Sequence, residues 1–447
     1  MKTKSGSKHV KSNSLEISEG NFEKLKFESI KKTQEKIFWT LPSSKSHFIR
    51  WLFLSAQTPT ETLIGIKHSV GKDILSSADV LEKLGVKIKK YEDFWVVKGC
   101  NKEEFIEYPE LLDCGNSATA FRFLCFLVSR NGIKARITGD KSLIKRNYTE
   151  LFEILEKGGV LIERESESIF PVTFSGFYSS SKINVLTTKT SQIISGLVLT
   201  MPSSIEKCIF LFKDKIISRS YFQLTLDIAM ISGAKITFND KNLIIFPWVP
   251  TINDKIEIPL DESLLIMPML LSKLHSVDVI ITNWNNKKDI LNNHFLLNSS
   301  SNFGLKLNKI TEGLLISNSG KGDFLEINIE NKIDLLTPLL VLMSLSKGGI
   351  ISGFNHAVNK ESNRVESTLY LSNQFGLDVD LDINFKISES IISVPKNDLI
   401  SFNDHRLQMT AMIMLSYTGG AIDSEKWYEV TDPLFLQKLI DSKVCVC

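Results

Sequence analysis

The sequence LEKLGVKI at residues 81–88 returns as LEKGGVLI at residues 155–162, with Gly85 and Gly159 at the same place. Three further segments share this pattern: MISGAKITF at 230–238, SNFGLKL at 301–307 and SNQFGLDVDL at 372–381. Each segment reads as the end of an amphipathic helix, a glycine that stops it, and a short β-branched strand. The glycines recur about every 72 residues, which indicates a chain built from repeated α/β units.

A second series of segments has the same period. In each, a polar cluster precedes a long apolar helix, and the clusters are marked by Lys45, Asn116, Ser191, Glu262, Asp334 and His405. Six units are therefore predicted. Because the first helix of each unit is apolar on nearly every side, it must be covered all round, which favours two globular groups of three units. The polar and proline-containing stretch from Pro247 to Pro259 is the predicted crossing between them.

The overall composition is that of a globular enzyme. The chain has 53 Lys and Arg against 51 Asp and Glu, with 43% hydrophobic residues, which argues against general disorder and a general polyanion-binding surface. The longest apolar run, residues 335–345, is about half of the ~20 residues that cross a bilayer. The six cysteines show no metal-ligand spacing, so we expect buried thiols in a reducing cytosol rather than a zinc site.

The beginning of the chain differs from the rest. Residues 2–14 are polar and basic, and no hydrophobic core of a signal peptide follows them. We predict a disordered extension over residues 1–35, with a transit peptide as the alternative.

Polar residues open four of the six apolar helices, at residues 44–46, 116–119, 190–192 and 403–406. A helix N-terminus presents unpaired N–H groups and a partial positive charge, so these clusters favour a phosphate or carboxylate ligand, although ordinary N-capping explains an isolated Ser or Asn. The cations in or beside the clusters are Lys45, Arg50, Arg122, Arg146, Arg219, Lys360, Arg364 and Arg406. So many cations predict a site that accepts more than one anionic group.

Seven motifs in this order, LPSSKSHFIR, GNSATAFR, IKRNY, TSQ, SRSY, NKESNR and NDHR, form a specific set. From about Leu41 to the C-terminus the chain resembles the 5-enolpyruvylshikimate-3-phosphate (EPSP) synthase, or 3-phosphoshikimate 1-carboxyvinyltransferase, family. The resemblance implies a two-domain α/β enolpyruvyl transferase fold. It has six βαβαββ-type repeats, three per domain, with pseudo-threefold symmetry in an inside-out α/β barrel. Domain I would span residues 36–41 and 258–447 and carry the catalytic carboxylates, and domain II would span residues 42–257.

The same resemblance implies the reaction. The hydroxyl of shikimate 3-phosphate attacks C2 of phosphoenolpyruvate, C3 is protonated, and phosphate leaves from a tetrahedral intermediate. No metal and no organic cofactor is implied. The expected partners are these two small molecules, without nucleic acid or membrane, in a cytoplasmic monomer.

Carried over by motif, the site residues form three sets. The predicted catalytic residues are Lys45, Asp334, Glu361 and His405. The predicted phosphoenolpyruvate-binding residues are Lys45, Asn116, Ala118, Arg122, Arg146, Gln192, Arg364 and Arg406. The predicted residues for shikimate 3-phosphate are Lys45, Ser46, Arg50, Thr190, Ser191, Gln192, Ser218, Tyr221, Asp334, Asn355 and Lys360.

The chain departs from the family pattern at several positions. Ala118 stands where related sequences have Gly, and its methyl group would narrow the phosphoenolpyruvate pocket and reduce inhibition by glyphosate. Val430 stands where a phosphate-binding Lys is usual, and only the neighbouring Lys426 offers a replacement. Ser142 replaces a common basic residue, and the sugar-binding Asn is displaced to Asn355 or replaced by His356.

Several other functions stay open at this point. The chain could use a different phosphorylated acceptor in secondary metabolism, or bind an anionic metabolite without turnover. A UDP-N-acetylglucosamine enolpyruvyl transferase is disfavoured because Cys114 is not placed like the loop cysteine of that enzyme. Nucleic-acid binding is disfavoured because the aromatic residues are not interleaved with the cations.

Overall fold

Helices and strands alternate along the chain in a computed structural model that describes residues 23–30, 36–66, 68–108, 110–164, 170–185, 190–252, 255–284 and 294–446. The α-helices of these residues are α1 (Lys45–Ser55), α2 (Lys72–Lys83), α3 (Ala118–Asn131), α4 (Thr149–Lys157), α5 (Gln192–Leu199), α6 (Arg219–Ile231), α7 (Ile266–His275), α8 (Phe295–Ser299), α9 (Leu336–Ser344), α10 (Arg364–Gln374), α11 (His405–Thr418) and α12 (Phe435–Asp441).

The strands of the first half of the chain are β1 (Lys24–Ser29), β2 (Lys36–Trp39), β3 (Glu61–Gly65), β4 (Lys87–Lys90), β5 (Phe94–Lys98), β6 (Leu111–Asp113), β7 (Ala135–Thr138), β8 (Leu161–Arg164), β9 (Val172–Ser175), β10 (Lys182–Val185), β11 (Cys208–Phe212), β12 (Ile236–Phe238) and β13 (Asn242–Ile245). Those that follow are β14 (Ile256–Glu257), β15 (Asp278–Ile281), β16 (Leu305–Ile310), β17 (Gly313–Asn318), β18 (Leu325–Asn328), β19 (Gly349–Ser352), β20 (Val379–Leu381), β21 (Phe385–Ile387), β22 (Gly420–Asp423) and β23 (Cys445–Val446).

These strands form six sheets, one for each repeat. Five have four strands, and three of them have the orders β6-β7-β9-β8, β10-β11-β13-β12 and β18-β19-β21-β20. In these three, the first two strands are parallel and the other neighbours antiparallel, as where Leu112 pairs with Ile137. The predicted six-repeat α/β architecture is confirmed. Each sheet is an open row of strands whose first and last members do not pair with each other, so the described strands form no closed barrel.

The odd-numbered long helices form the interior of each half. Helices α1, α3 and α5 contact one another in the first half, and α7, α9 and α11 do so in the second. Helix α3 is buried along most of its length. Ser117 caps its start by accepting a hydrogen bond from the Ala120 N–H, and Gly132 ends it in the left-handed conformation, with φ 69°. This is the arrangement that a helix apolar on all sides requires.

Two separate hydrophobic cores fill the two domains. One contains the buried residues from Phe48 to Ile258, and the other those from Phe27 to Leu41 and from Leu260 to Cys445. The chain crosses between the two domains twice. The strand that precedes each crossing belongs to a sheet of the domain that the chain is leaving. Strand β2 runs parallel to β15, and β14 runs parallel to β3. The two crossings touch where the Ser44 N–H donates to the Pro259 carbonyl at 2.8 Å. The exact domain limits stay predictions.

Strand β1 differs from the sequence-based expectation for residues 1–35. Residues 24–29 are ordered as a strand between β22 and β23, whereas residues 1–22 and 31–35 lie outside the described part of the chain. In the stretch KLKFES, apolar Leu25 and Phe27 alternate with charged residues, and Phe27 is buried in the second core. This two-residue period is the signal of a half-buried strand, and the charged composition concealed it.

Some further properties concern only the residues that the structure describes. None of their helices is both long and apolar enough to cross a membrane. Their five cysteines are free and buried. No group of three or more His, Cys, Asp or Glu in these ranges could hold a metal ion.

Candidate active site

The first turns of four buried helices meet at a cavity between the two domains. Helices α1, α3, α5 and α11 begin there, at Lys45, Ala118, Gln192 and His405. The positive end of the helix dipole at these starts suits an anionic ligand, and at α1 the side chain of Ser44 does not cap the first N–H groups. The predicted residues found in the cavity wall are Lys45, Ser46, Arg50, Asn116, Ala118, Arg146, Thr190, Ser191, Gln192, Ser218, Tyr221, Asp334, Lys360, Glu361, His405 and Arg406.

Three predicted residues lie outside this wall. Arg122 lines an adjoining cavity that shares Arg146 and Gln192 with the first. Arg364 is buried behind the wall, with 1% of its side chain exposed. Asn355 begins a short 3₁₀ turn, is exposed, and lines neither cavity. Its neighbour His356 lines the adjoining cavity instead, and the role of either residue in acceptor binding stays a prediction.

His356 brings a neutral ring to the edge of the site. Its Nε2 lies 3.5 Å from the hydroxyl of Ser218, which belongs to the other domain. Burial, followed by the charge of Lys360, lowers the pKa of His356 to about 4. Near neutral pH the imidazole therefore acts as a hydrogen-bonding group rather than as a cation.

The cations of the cavity are held in place but keep unused donors. Lys45 Nζ donates to Asp73 Oδ2 at 2.9 Å, Arg146 Nη2 donates to Asn116 Oδ1 at 3.0 Å, and Arg406 Nη2 donates to the Ser263 hydroxyl at 2.7 Å. The Nε–H groups of Arg122, Arg146 and Arg406 have no partner in the described ranges. A concentration of partly satisfied guanidinium groups fits phosphate or carboxylate ligands.

Other predicted polar residues are bonded within the protein. Arg50 is almost fully buried; its Nε donates to the Thr225 hydroxyl at 2.8 Å and its Nη1 to the Ser46 carbonyl at 2.8 Å. Gln192 accepts a hydrogen bond from Arg122 and donates one to the Thr119 hydroxyl at 3.0 Å. These bonds fix the side chains before a ligand arrives, which lowers the entropic cost of binding.

The two predicted catalytic carboxylates share one arginine. Arg364 donates to Asp334 at 2.6 Å from Nη1, to Glu361 at 2.7 Å from Nη2 and to Asp404 at 2.7 Å from Nε. Lys360 Nζ lies 3.2 Å from the same Asp334 oxygen. Most donors of Arg364 are therefore occupied by carboxylates of the protein, and its contact with phosphoenolpyruvate stays a prediction.

These neighbours set the charge of the carboxylates. Burial alone would raise the pKa of Asp334, but Lys360, Arg364 and Arg406 bring it well below its usual range. Burial likewise opposes ionisation of Glu361, and Arg364 with the other nearby cations holds its pKa well below the usual range. Both groups are carboxylates at neutral pH without ligand.

His405 lies between the acids and the cations. Its Nδ1 is 4.0 Å from Glu361 Oε1. Burial, followed by the charge of Lys45, lowers the pKa of His405 well below its usual value. The neutral ring can exchange a proton with a group in the cavity, as a general acid or base requires.

The site is completed only where the two domains meet. The Tyr221 hydroxyl of α6 donates to Asp334 Oδ2 at 2.9 Å, and the Ser142 hydroxyl donates to the Glu361 carbonyl at 3.2 Å. Burial and the nearby Asp334 raise the pKa of Tyr221 well above its usual value, so its hydroxyl remains a donor. Neither domain alone contains both the acceptor-side hydroxyls and the carboxylates.

Two buried acids of this site are absent from the predicted site residues: Asp73 was missed, and Asp404 was recognised only as part of the polar cluster at residues 403–406. Asp73 lies in the first turn of α2, on the same buried side of the helix as Ser77 and Ala78. An acidic residue on the side of a helix that faces the core was the sequence signal that could have identified it as a site residue. Asp404 caps α11 by accepting from the Arg406 N–H at 2.9 Å while it holds Arg364. A helix cap could be predicted there, but its ion pair with a residue 40 positions earlier could not.

The C-terminal departure from the family pattern lies at a third cavity. Val430 and Lys426 line this cavity together with Trp427 and Leu75, not the central one. The Lys426 ammonium lies 4.0 Å from Glu429 and its side chain is exposed. Lys426 therefore does not replace the missing lysine in this structure.

A model of the family "EPSP synthase (3-phosphoshikimate 1-carboxyvinyltransferase)" matches residues 28–439. The chain belongs to the EPSP synthase family. This confirms the resemblance that the motifs predicted, and it makes the protein an enzyme of a transferase family.

Relatives and structures of the EPSP synthase family agree with this assignment. A 3-phosphoshikimate 1-carboxyvinyltransferase of Saccharolobus solfataricus is 26% identical over 418 residues, covering 89% of this chain and 94% of the relative. One of Methanosphaera stadtmanae is 24% identical over 409 residues, with the same coverage.

Solved structures of this family and of a related transferase share the fold. EPSP synthase of Acinetobacter baumannii has a TM-score of 0.73 at 17% identity, covering 94% of this chain and 99% of that one. The enolpyruvyl transferase NikO of Streptomyces tendae has a TM-score of 0.68 at 11% identity, covering 94% and 97%. At these identities the likeness shows the two-domain α/β fold, and the roles of individual EPSP synthase site residues stay predictions.

Proposed function

We propose that this protein transfers the enolpyruvyl group of phosphoenolpyruvate to the 5-hydroxyl of shikimate 3-phosphate and releases phosphate. The observation that carries the proposal is one cavity in which cations from both domains face two ionised carboxylates, Asp334 and Glu361. Such a cavity suits a reaction between two anionic molecules that also requires proton transfer. The family and the names of its relatives supply the chemical identity of the substrates.

Phosphoenolpyruvate would occupy the part of the cavity with the most cations. Lys45, Arg146 and Arg406 would share its phosphate and carboxylate, with Gln192 at its edge. The acceptor would lie beside the hydroxyl-rich part, where Ser46, Ser191 and Tyr221 are joined by Lys360. The large share of charged donors makes binding of both molecules sensitive to ionic strength.

The first chemical step joins the two molecules. The 5-hydroxyl oxygen of the acceptor forms a bond to C2 of phosphoenolpyruvate, and its proton passes to Asp334. C3 takes a proton from Glu361, so the methylene becomes a methyl group in a tetrahedral intermediate. General acid and base groups of this kind typically contribute about 10²- to 10⁴-fold to a rate.

Glu361 must be protonated to act as the acid, although Arg364 and the other nearby cations keep it ionised. Two bound anions would offset the cations that hold its pKa down, so the pKa of Glu361 rises on binding. The bound anions would likewise raise the pKa of His405, so that its ring takes up a proton and passes it to Glu361 at 4.0 Å; Lys45 is the alternative proton donor.

The second step reverses the proton transfer at C3. Glu361 takes a proton back from the methyl group, the bond between C2 and the phosphate oxygen breaks, and the C2–C3 double bond forms again. The proton held by Asp334 leaves with phosphate. The products are the enolpyruvyl ether of the acceptor and inorganic phosphate, which balances the reaction.

A second candidate function is the same transfer to a different phosphorylated acceptor. It is favoured by His356 beside Ser218, where the family pattern has a sugar-binding Asn, and by Val430 outside the central cavity. A third, anion binding without turnover, is disfavoured because the lysine, histidine and both carboxylates all lie together. The cytoplasmic, monomeric state without nucleic-acid or membrane partners stays part of the prediction.

Phosphate release by the purified chain tests these functions. It is measured with phosphoenolpyruvate and shikimate 3-phosphate, and the enolpyruvyl product is identified by NMR. Thermal shift with shikimate 3-phosphate alone, and then with phosphoenolpyruvate, reports binding, because a ligand that binds the folded state raises its stability. Binding without turnover would favour the silent homologue, and turnover only with another phosphorylated acceptor would favour the second candidate.

Variants assign the roles of the two acids. Asp334→Asn and Glu361→Gln each remove one ionisable group at nearly constant size, and we expect turnover to fall by about 10²-fold or more. Asp323→Asn is the matched control, since Asp323 is exposed and pairs only loosely with Lys347 at 3.8 Å. Near-normal turnover in both active-site variants would refute the proposed mechanism.

A further inference from the structure

Asp73 is a buried acid of the cavity that the proposed mechanism does not use. It is the second residue of α2, and its side chain is 7% exposed. One carboxylate oxygen accepts the hydrogen bond from Lys45 at 2.9 Å. The other, Oδ1, is buried without a partner among the described residues. A buried carboxylate oxygen left without a donor is uncommon unless it serves a site.

We propose that Asp73 is a positioning residue that holds the Lys45 ammonium at the cavity wall until the phosphate of phosphoenolpyruvate takes over that ion pair. This inference rests on the proposed function. It assigns to Asp73 no contact with the reacting atoms; Asp73 acts through Lys45.

The charges around Asp73 support a transfer of the ion pair. Lys45 faces it from α1, Arg146 from the loop after β7, and Glu361 from the other domain; the buried thiol of Cys114 also feels its charge. Burial raises the pKa of Asp73, although Lys45 opposes this effect. When a bound phosphate shares the lysine, Asp73 loses part of this compensation, so its pKa rises further and uptake of a proton from solvent becomes more favourable.

The alternative is that Asp73 only stabilises the start of α2. An acid in a first turn interacts favourably with the helix dipole whatever lies nearby. The chain offers a matched control for that role in Glu366, which lies in the first turn of α10 and is exposed outside both cavities. Glu366→Gln removes the dipole interaction alone.

Calorimetry of phosphoenolpyruvate binding in two buffers of different ionisation enthalpy tests the proton uptake. We expect the unchanged protein to take up more protons on binding than Asp73→Asn does, and Glu366→Gln to take up as many as the unchanged protein. Equal uptake by the unchanged protein and Asp73→Asn would overturn the proposal. Because this readout needs only binding, it is separate from turnover: absence of product with shikimate 3-phosphate would count against the proposed function.

Kinetics test whether Asp73 acts through Lys45. Asp73→Asn should lower kcat/KM by about tenfold or more, and Asp73→Glu should recover part of this loss, since it restores the charge. In a Lys45→Met background, Asp73→Asn should change phosphoenolpyruvate affinity less than twofold, because the ion pair is already absent. An equal loss in both backgrounds, or a parallel loss of thermal stability that explains it, would refute a positioning role.

Discussion

The guanidinium group of Arg364 joins three carboxylates, from Asp334, Glu361 and Asp404, in the interior of the candidate active site. A lysine at this position would keep the charge but not the planar fork that reaches all three acids. We expect Arg364→Lys to lower the free energy of unfolding by about 3 kcal/mol or more, since two buried carboxylates lose their partner.

Urea unfolding measures this loss. Arg219→Lys is the control, because Arg219 makes an exposed pair with Asp240 at 3.3 Å. That change should alter stability by less than about 0.5 kcal/mol. A similar small effect of Arg364→Lys would show that the three-acid contact contributes little.

A second prediction concerns the methyl group of Ala118. Ala118 is the first residue of α3, is 5% exposed and lies in the cavity wall. Its removal in Ala118→Gly widens the space beside the predicted phosphoenolpyruvate position. Glyphosate inhibition measured against phosphoenolpyruvate should strengthen by about tenfold or more, or roughly 1.4 kcal/mol.

The control for Ala118→Gly is Ala120→Gly. Ala120 lies in the same helix and is fully buried but outside the cavity wall, so this change weakens the helix without widening the pocket. Unaltered inhibition of the Ala118→Gly enzyme, or equal strengthening in both variants, would contradict the predicted role of the methyl group.

Residues were predictable from sequence where a motif and a helix start coincide. Lys45 and His405 each begin a buried helix, and both lie in the cavity wall. Asp73 and His356 were harder to predict, because their partners Lys45 and Ser218 lie on a different helix and in a different domain, respectively. Such pairings depend on how units pack, and local pattern carries no record of them.

At the scale of elements, the start of α2 packs against the turn at residues 427–430. A Cβ on Gly71 would lie 2.3 Å from the Val430 carbonyl and 2.8 Å from Thr431 Cα, both backbone atoms of the other domain. With φ −71°, Gly71 itself is not strained. Gly71→Ala should therefore hinder approach of the domains without unfolding either one.

Small-angle scattering with shikimate 3-phosphate and inorganic phosphate checks this prediction. Gly71→Ala should stay more extended than the unchanged protein, and the KM of both substrates should rise several-fold. Gly65→Ala is the matched control, because the atom nearest its added Cβ is the flexible end of Lys255, at 2.8 Å. Full closure of Gly71→Ala would show that the turn moves freely.

The end of α7 carries a half-buried histidine, His275, that predicts a pH effect on stability. His275 Nε2 lies 3.0 Å from the Ser416 hydroxyl of α11, and burial lowers its pKa from 6.5 to about 4. Between these values the unfolded chain binds more protons than the folded protein, so stability is lost as pH falls from about 6.5 toward 4. From pH 7 to pH 5 this histidine should account for about 2 kcal/mol.

Urea unfolding of the unchanged protein and of His275→Gln at both pH values measures that share. The variant should lose less stability on acidification, while the buried His356 keeps its own contribution in both proteins. An identical pH dependence would mean that the histidine is solvated in the folded state.

The helices and strands show why the sequence pattern predicts the repeated units better than it predicts which distant strands pair. The helices and their closing glycines recur in sequence and therefore in structure. Strand β2 instead pairs with β15, so that Ile37 meets Val279 across more than half of the chain. Strands β2 and β14, which precede the two crossings, each complete a sheet in a different domain. They are four and two residues long, which is too short for a sequence pattern to indicate their partners.

For the whole molecule, closure depends on contacts whose residues lie at the rims of the domains. Besides the site hydroxyls, Lys72 pairs with Glu429 at 2.6 Å and Lys215 with Glu330 at 2.8 Å. These pairs are partly exposed, so each contributes little, and salt weakens them. In both pairs the lysine belongs to one domain and the glutamate to the other, so each pair favours the closed arrangement. In that arrangement the carboxylates of one domain reach the hydroxyls of the other.

The pair between Lys141 and Glu425 allows a test of closure away from the chemistry. The two charged groups lie 2.6 Å apart across the domains, and the Lys141 ammonium also lies 5.6 Å from the centre of the Trp427 ring. Lys141→Glu would place two carboxylates together and should raise the KM of both substrates by about two- to fivefold at low salt.

Exchanging the charges, as Lys141→Glu with Glu425→Lys, should return both KM values to within about twofold of the unchanged protein, since the pair is restored. Lys157→Glu is the control and should change neither KM, since Lys157 and its partner Glu153 are both exposed and lie on the same helix. Added salt should reduce the difference between single and double variants, because screening acts on exposed charges. If the single change has no effect, or if the exchange fails to restore binding, this ion pair plays no part in closure.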